Sequence, residues 1–277
     1  MKKLNYYSTK RLLLDQIGFE SNPELLELFI DKLCKKLKID EFAACQPIKD
    51  KVSKVFNLQY TGTGVDIMLE IVSREVEAMH RKFRAIIDLD SMDKSTEVYG
   101  EYMKNQYINF MATEVAYEIQ IHLLGLMYRN STTVNYRIDL VKDSPMAIIH
   151  KLQHAANTVA VNSKRGVGNK IILTKEIFER IKDFLPNFEE YGSDECDIQF
   201  MGGSALGDIF VSTHSTVVMV HYKGAESEVD SNIIFSPYAF SNRASLDKTL
   251  AINTLSISTL YNLIALNSDY TVSLQVR

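Results

Sequence analysis

Tryptophan is absent from this sequence, and proline, glycine and cysteine are sparse: five prolines, 12 glycines and three cysteines in 277 residues. So little proline and glycine excludes a collagen-like or low-complexity chain. The cysteines, Cys34, Cys45 and Cys196, are odd in number and none has C-x-x-C spacing. Reduced thiols are therefore expected, not a disulfide framework or a thiolate zinc site. No charge of one sign dominates. Residues 1–140 carry 19 basic and 20 acidic side chains, and the remainder carry 12 and 15, for a net charge of -4. A basic face for gripping nucleic acid is thus not expected. Apolar stretches such as Ile119–Met127 are interrupted and fall well short of the ~20 residues of a membrane span. No apolar segment follows Met1-Lys2-Lys3-Leu4-Asn5, so no signal peptide is read there. These absences leave a soluble intracellular chain as the expectation.

What is present is core-forming material. The sequence is 46% hydrophobic, with 14 tyrosines and 13 phenylalanines supplying aromatic bulk. That is enough for one large domain or two modest ones. Asn22-Pro23 reads as a helix start. Leu26, Phe29, Ile30, Leu33 and Leu37 follow at helical spacing, which predicts a helix over 23–38 with one buried face. From Val52 the period becomes two. Phe56, Leu58 and Tyr60 alternate with polar residues, Gly62 and Gly64 mark a turn, and Ile67, Leu69 and Ile71 alternate on the return. This predicts a long β-hairpin over about 52–85. Residues 95–129 contain no proline. Ile108, Met111, Val115, Ile119, His122 and Leu126 share a face there, which predicts a helix about 50 Å long with Ser95 or Thr96 as cap. Further on, Val134, Tyr136 and Ile138 alternate as a strand. A helix is expected over 145–162, with Gly166 as its C′ glycine. Strands are expected at 170–173, 208–213, 216–222 and 232–236, a helix at 175–184, and a final strand through Val272, Leu274 and Val276.

The residues with chemical potential form no catalytic set. His150 and His154 lie one helical turn apart, a spacing that can place two ring nitrogens on one metal. Lys151 stands where a zinc hydrolase needs glutamate, and no third ligand lies nearby, so a solvated or packed helix face is the simpler reading. Arg165-Gly166-Val167-Gly168-Asn169-Lys170 invites a phosphate-loop reading. A helix precedes it and a strand follows, which is the reverse of the order such loops need. Ser204 lacks the Gly-x-Ser-x-Gly elbow, and His214 and His221 have no acid at a suggestive spacing. No metal or cofactor is expected.

The segment His154-Ala155-Ala156-Asn157-Thr158-Val159-Ala160, followed by Arg165-Gly166-Val167-Gly168-Asn169, resembles a block of the T-even-type myovirus major capsid proteins. A second block is similar to that family's strand, Tyr-Lys-Gly, acidic loop, strand, Pro-Tyr signature. It runs Val218-Met219-Val220-His221-Tyr222-Lys223-Gly224, then Asp230-Ser231-Asn232-Ile233-Ile234-Phe235-Ser236-Pro237-Tyr238. Phe42-Ala43-Ala44-Cys45-Gln46-Pro47-Ile48 resembles the family's Gln-Pro block. Thr259-Leu260-Tyr261-Asn262 through Asn267 sits where the family has Thr-Arg-Tyr-Gly…Asn-Pro. There Leu260 replaces the usual Arg, Asn262 the usual Gly, and Ser268 the usual Pro. The blocks keep the family's order and span about Leu25 to Asn267.

The resemblance implies an α+β, Hong Kong 97-like phage capsid fold. It implies an N-terminal arm (1–50), an extended β-hairpin or E-loop (51–90), a peripheral domain with a long spine helix (91–144), a mixed α/β axial domain (145–245), and return strands (246–277). The function implied is that of a structural, non-enzymatic subunit. Such a subunit self-assembles into hexamers or pentamers around double-stranded DNA, in a virion built in the host cytoplasm. Portal, scaffold or decoration proteins are its expected partners, with no membrane. A vertex subunit, a cellular nanocompartment shell, and a metal- or phosphate-dependent enzyme stay open as alternatives. Phe56, Leu58, Tyr60, Gly62, Gly64, Ile67 and Leu69 are the expected inter-subunit hairpin residues. Gln46, Pro47, Arg165, Gly166, Gly168, Asn169, Tyr222, Lys223, Gly224, Pro237 and Tyr238 are the expected structural motif residues, with the last five shaping the axial domain.

Overall fold

A computed structural model describes residues 23–37, 39–45, 52–60, 69–88, 101–134, 137–190, 198–213, 217–224, 231–247 and 252–277. Gln46, Pro47, Gly62, Gly64, Ile67, the capping positions Ser95 and Thr96, Tyr136 and His214 lie outside the described residues.

Helix α1 spans Pro23–Lys36. Its face of Leu26, Phe29, Ile30 and Leu33 is fully buried, and Asp31 pairs with Lys35 one turn on at 2.7 Å, the favourable acid-before-base order. Helix α2 spans Glu101–Arg129, about 43 Å at the α-helical rise. Ile108, Met111, Ala112, Val115, Ala116, Ile119 and Leu123 form its buried side, packed with the α1 face in one core. Buried Gln120 donates through Nε2 to Lys36 O at 3.0 Å. It thereby satisfies a carbonyl that the end of α1 leaves without an intrahelical partner.

The strands are β1 (Ala43–Cys45), β2 (Val52–Tyr60), β3 (Leu69–Glu77), β4 (Met79–Asp88), β5 (Thr132–Thr133), β6 (Lys170–Thr174), β7 (Glu189–Glu190), β8 (Ile198–Ser204), β9 (Gly207–Ser212), β10 (Val217–His221), β11 (Ile233–Asp247), β12 (Ile252–Ala265) and β13 (Thr271–Gln275). Helices α3 (Pro145–Ser163) and α4 (Lys175–Ile181) flank β6. Among the described residues the strands form a seven-stranded sheet, β5-β13-β10-β6-β9-β8-β7, a four-stranded sheet, β1-β11-β12-β4, and a separate two-stranded ribbon, β2-β3.

The seven-stranded sheet is covered on both faces. Because side chains alternate along a strand, Ile171, Leu173, Ile209, Val211, Val218 and Val220 pack against α3 and α4. Ile172, Phe210 and Met219 join the α1/α2 core on the opposite face. This explains the unbroken apolar runs in β6, β9 and β10, which a sheet with one wet face would not need. Ser144 caps α3 by accepting from Ala147 N at 3.3 Å, and Thr174 caps α4 by accepting from Ile177 N at 3.3 Å.

Four expectations need correction. The helix preceding the Arg-Gly-x-Gly-Asn block ends at Lys164, which takes the left-handed conformation (φ 54°) and bonds back to Ala160 O. Gly166 is therefore not the terminating glycine. Among the described residues, the strand expected through Val134 and Ile138 shows only β5 and a single bridge, Ile138 to Val276. The charged return of the hairpin is divided. β3 pairs with β2, but β4 leaves it after Ala78 to pair with β12 from Tyr261↔Met79 to Ile252↔Asp88. The strand expected to end at Ser236 continues to Asp247 and forms a long hairpin with β12, register-shifted between Pro237 and Ala239. Proline cannot donate to a ladder, so the strand tolerates it at this bulge.

Candidate assembly site: a two-faced ribbon and a motif cluster

The β2-β3 ribbon runs in register from Val52↔Glu77 to Tyr60↔Leu69. It joins neither larger sheet and is held to the rest of the chain at its base. Arg74 Nη1 donates to Ala265 O at 3.3 Å, and Asn262 Nδ2 donates to Glu77 O at 2.7 Å. Val76 is fully buried in a small cluster with Ile234 and Leu266, against which Tyr238 packs.

Register parity separates two ribbon faces. Val76 and Arg74 share a face with Ser53, Val55, Asn57 and Gln59. The other face carries Phe56, Leu58, Tyr60, Leu69 and Ile71, with the exposed Lys54–Glu75 pair (3.9 Å) near its base. Of the residues read from sequence as hairpin contacts, the described ones, Phe56, Leu58, Tyr60 and Leu69, thus share the face opposite the one that carries Arg74 and Val76.

The second assembly of residues joins the two strongest sequence blocks. Asn169 Nδ2 donates to Lys223 O at 2.7 Å, and Lys223 N donates to Asn169 Oδ1 at 3.0 Å. Asn169 N also donates to His221 O at 2.9 Å. The glycines before it are dictated by space. A Cβ on Gly166 would sit 2.6 Å from the Tyr222 ring, and one on Gly168 would sit 2.5 Å from Val220 and 3.3 Å from the backbone of Ala156. Tyr222 stacks obliquely on Tyr270 (centroids 6.0 Å apart). Half-buried Arg165 donates its backbone N–H to Ser163 Oγ at 3.3 Å. Gly224 follows as the last described residue before Ser231.

Tyr222, Lys223 and Gly224 therefore belong with the Arg165–Asn169 block beside the seven-stranded sheet. Pro237 and Tyr238 do not. They sit at the bulge of the four-stranded sheet, with Tyr238 at the base of the ribbon.

Behind this cluster is a buried polar lock that sequence reading missed. It fastens the segment before β1, a 3-10 turn at Ile39–Glu41 followed by Phe42 and Ala43, onto the sheet. Fully buried His221 faces Phe42 O through Nε2 at 3.2 Å and Thr271 Oγ1 through Nδ1 at 2.8 Å. A carbonyl only accepts, so Nε2 carries the proton and Nδ1 accepts from the threonine hydroxyl. Burial pushes the His221 imidazole down to about 3. The Phe42 carbonyl opposes this, and the Lys223 and Lys170 ammonium groups reinforce it. Lys223 Nζ donates to Ala43 O at 2.8 Å, and Ser231 Oγ to Phe42 O at 3.3 Å. Lys170 Nζ bridges Glu41 at 2.5 Å and Asp208 at 2.9 Å. Burial alone lowers the Lys170 ammonium, but the two carboxylates more than offset it and hold the group above its ordinary value. The only sequence signal for this lock is that His221 and Lys223 alternate within a buried strand end. Their partners, Phe42 and Ala43, are about 180 positions away in sequence.

Ser204 Oγ donates to Gly207 O at 3.0 Å and accepts from Leu206 N at 3.2 Å, an ordinary turn. His150 and His154 are exposed on α3. No described helix is long and apolar enough to cross a membrane.

Comparison with known proteins agrees with this architecture. A family model described as major capsid protein Gp23 matches residues 62–274. No curated protein matches the sequence. Among solved structures, a virus-like particle from Pyrococcus furiosus superposes with a TM-score of 0.61 at 10% identity, over 93% of this chain and 100% of that one. The capsid of the cyanophage P-SCSP1u gives 0.57 at 10% identity, over 87% and 89%. A chain of the holo-SrpI encapsulin complex from Synechococcus elongatus PCC 7942 gives 0.53 at 9% identity, over 85% of each chain. At such identities the likeness is one of fold, the α+β Hong Kong 97-like capsid fold.

Proposed function

The chain belongs to the Gp23 major capsid protein family, and from that premise we propose that its β2-β3 ribbon is the element by which one subunit engages the next. The protein is a structural capsid subunit, not an enzyme, and it works in the virion as part of a multimeric shell. The finer account is our reading.

The observation that carries it is the division of the ribbon into two faces. A two-stranded ribbon alone is marginal in water. Here its Val76–Arg74 face is fastened to the parent chain at the base, while Phe56, Leu58, Tyr60, Leu69 and Ile71 share the other face. That apolar face, together with Gly62, Gly64 and Ile67 of the segment between β2 and β3, lies across a neighbouring copy. Hexamers and pentamers close by such heterologous contacts, and closed symmetry makes the shell.

In this scheme residues 1–50 form an N-terminal arm and 51–90 contain the ribbon. Residues 91–144 hold the spine helix α2 in a peripheral domain. The axial domain around the seven-stranded sheet comprises 145–224 and β13 (Thr271–Gln275), not 145–245, because β11 belongs to the four-stranded sheet, and the β11-β12 hairpin makes the return toward the periphery. Asn169, Gly166, Gly168, Tyr222, Lys223 and Gly224 keep the axial unit rigid, with Arg165 beside them. Pro237 and Tyr238 set the ribbon's base, and Gln46-Pro47 is a structural motif of the arm. The contents are double-stranded DNA, contained and not gripped, because a net charge of -4 offers no counterion release. Assembly takes place in the host cytoplasm, with portal, scaffold or decoration proteins as further partners.

The test is a triple substitution, Phe56→Ser, Leu58→Ser and Tyr60→Ser, followed by circular dichroism and electron microscopy. A folded subunit that forms no shells is the expected result. Normal shells from the triple variant would refute the ribbon's role.

A further inference from the structure

Helix α2 buries one side in the core and carries a second apolar row on the other. Ile108, Val115 and Ile119 are fully buried. On the opposite side Phe110 is 61% exposed, Ile121 41% and Tyr128 47%. Exposed Glu114 and half-buried Tyr117 and Gly125 lie in line with them. The steps along this row are four, three, four, four and three residues. That spacing keeps all six positions within about 80° of one another around the helix, in a row about 27 Å long. A solvated helix face carries mostly charged and polar residues. A contiguous row of exposed apolar side chains marks a contact surface instead.

Gly125 is an independent observation on the same row. Glycine inside a helix costs about 1 kcal/mol relative to alanine. Among the described residues, a Cβ added there would meet only Arg129 Nη2, at 3.6 Å, an ordinary contact. Packing within the chain therefore does not call for glycine at this position. On an exposed apolar row it leaves a gap into which a side chain from outside can pack.

The row is complementary to itself. Two α2 helices running antiparallel about a two-fold axis at Ile121 bring position 117 opposite 125, and position 114 opposite 128. The bulk of Tyr117 then meets the gap at Gly125 of the second copy. Glu114 meets the hydroxyl end of Tyr128 of the second copy, with the exposed Arg129 beside it. A parallel pair would set Glu114 against Glu114 and gap against gap, so charge and shape both select the antiparallel arrangement.

We propose that α2 pairs with α2 of a second copy, antiparallel across a two-fold axis through Ile121. Heterologous contacts close rings, whereas a two-fold joint needs one patch that fits itself. One helix pair is small beside the ~1,600 Å² of a standard stable interface. The joint is therefore weak alone and gains strength from repetition over a shell. The inference rests on the chain being a shell subunit and not on the ribbon's role.

The experiment is oxidative cross-linking of the full chain carrying Ile121→Cys, with Phe110→Cys as control and the linked peptides identified by mass spectrometry. The axis places the two copies of position 121 face to face, near the ~4–7 Å Cα separation of a disulfide. It places the two copies of position 110 about 33 Å apart. Linkage through position 121 should exceed linkage through position 110 at least about tenfold. Ile121→Asp sets two like charges on the axis, and should weaken association at least about tenfold in sedimentation. Gly125→Leu favours the helix within the subunit but fills the gap, and should weaken association likewise. Circular dichroism checks that each variant folds. The chain with Phe56, Leu58 and Tyr60 all changed to Ser should still link at position 121, so failure of the ribbon reading and failure of the α2 pair give different results. Equal linkage of the two cysteine variants, or unchanged association of Ile121→Asp and Gly125→Leu, overturns the proposal.

Discussion

Asn169 and Lys223, 54 positions apart, hold each other by a reciprocal pair of hydrogen bonds, 2.7 Å from Asn169 Nδ2 to Lys223 O and 3.0 Å from Lys223 N to Asn169 Oδ1. The pair ties the loop after α3 to the end of β10, and so locks two of the sequence blocks into one unit. Asn169→Ala removes both bonds and leaves a backbone donor and acceptor unpaired in a half-buried site. A loss of about 2–3 kcal/mol is expected, read as a shifted denaturant midpoint at unchanged m-value. A shift equivalent to less than about 0.5 kcal/mol would mean that the pair is incidental.

The glycine positions make a separate prediction about space. Gly168→Ala places a methyl 2.5 Å from Val220 Cγ1, an overpacking expected to cost about 1–3 kcal/mol. Pairing it with Val220→Ala should recover part of that loss, because the valine is the nearer obstacle and the Ala156 backbone at 3.3 Å remains. A double-mutant cycle measures the recovery. Strict additivity of the two losses would rule out the steric account.

His221 predicts a pH dependence. Its folded-state value is pushed down to about 3, against about 6.5 in an unfolded chain. Between those values the unfolded state binds the proton and the folded state does not. Stability therefore falls as pH drops below the unfolded value, at up to about 1.4 kcal/mol per unit. Urea melts at pH 6.5 and 4.5 should show that the wild type loses roughly 2–3 kcal/mol more than His221→Asn, the carboxylates being common to both. Equal losses would show that the imidazole is not held neutral by its burial.

The two ribbon faces should separate stability from assembly. Val76 is fully buried, so Val76→Ala is expected to cost about 1–2 kcal/mol of subunit stability. Phe56→Ser, on the opposite face, should leave the melting temperature within about 1 °C and reduce shell formation. If Phe56→Ser lowers subunit stability as much as Val76→Ala does, both faces are internal.

Much of the local structure was legible. α1, α3, α4, β6 and β10 fall within a few residues of the spans read from hydrophobic period and caps, because Pro23, Ser144-Pro145 and Thr174 act through local hydrogen bonds and φ restraints. The β11-β12 hairpin was only half legible. Ile257, Thr259, Tyr261, Leu263 and Ala265 alternate without a break, and all are buried, so β12 carries a strand signal of its own. β11 looked finished at Pro237, since a bulge that excuses a proline is set by the partner strand and not by local sequence. The division of the hairpin return at Ala78 had no sequence mark. β3 and β4 carry similar charged, alternating residues, and only pairing with β12 distinguishes them.

By itself the sequence determined the apolar runs that demand a sheet buried on both faces, the helix boundaries, and the ordered blocks that mark the capsid family. These depend on interactions within a few residues, or on patterns that survive any arrangement of the chain. Tertiary structure alone decided which ribbon face is fastened, why Gly166 and Gly168 must be glycine, and that Lys170, His221 and Lys223 close on Glu41, Phe42 and Ala43. Those outcomes join residues from about 50 to about 190 positions apart, where contact is chosen by packing and by the need to pair buried polar groups, and no local pattern encodes the choice.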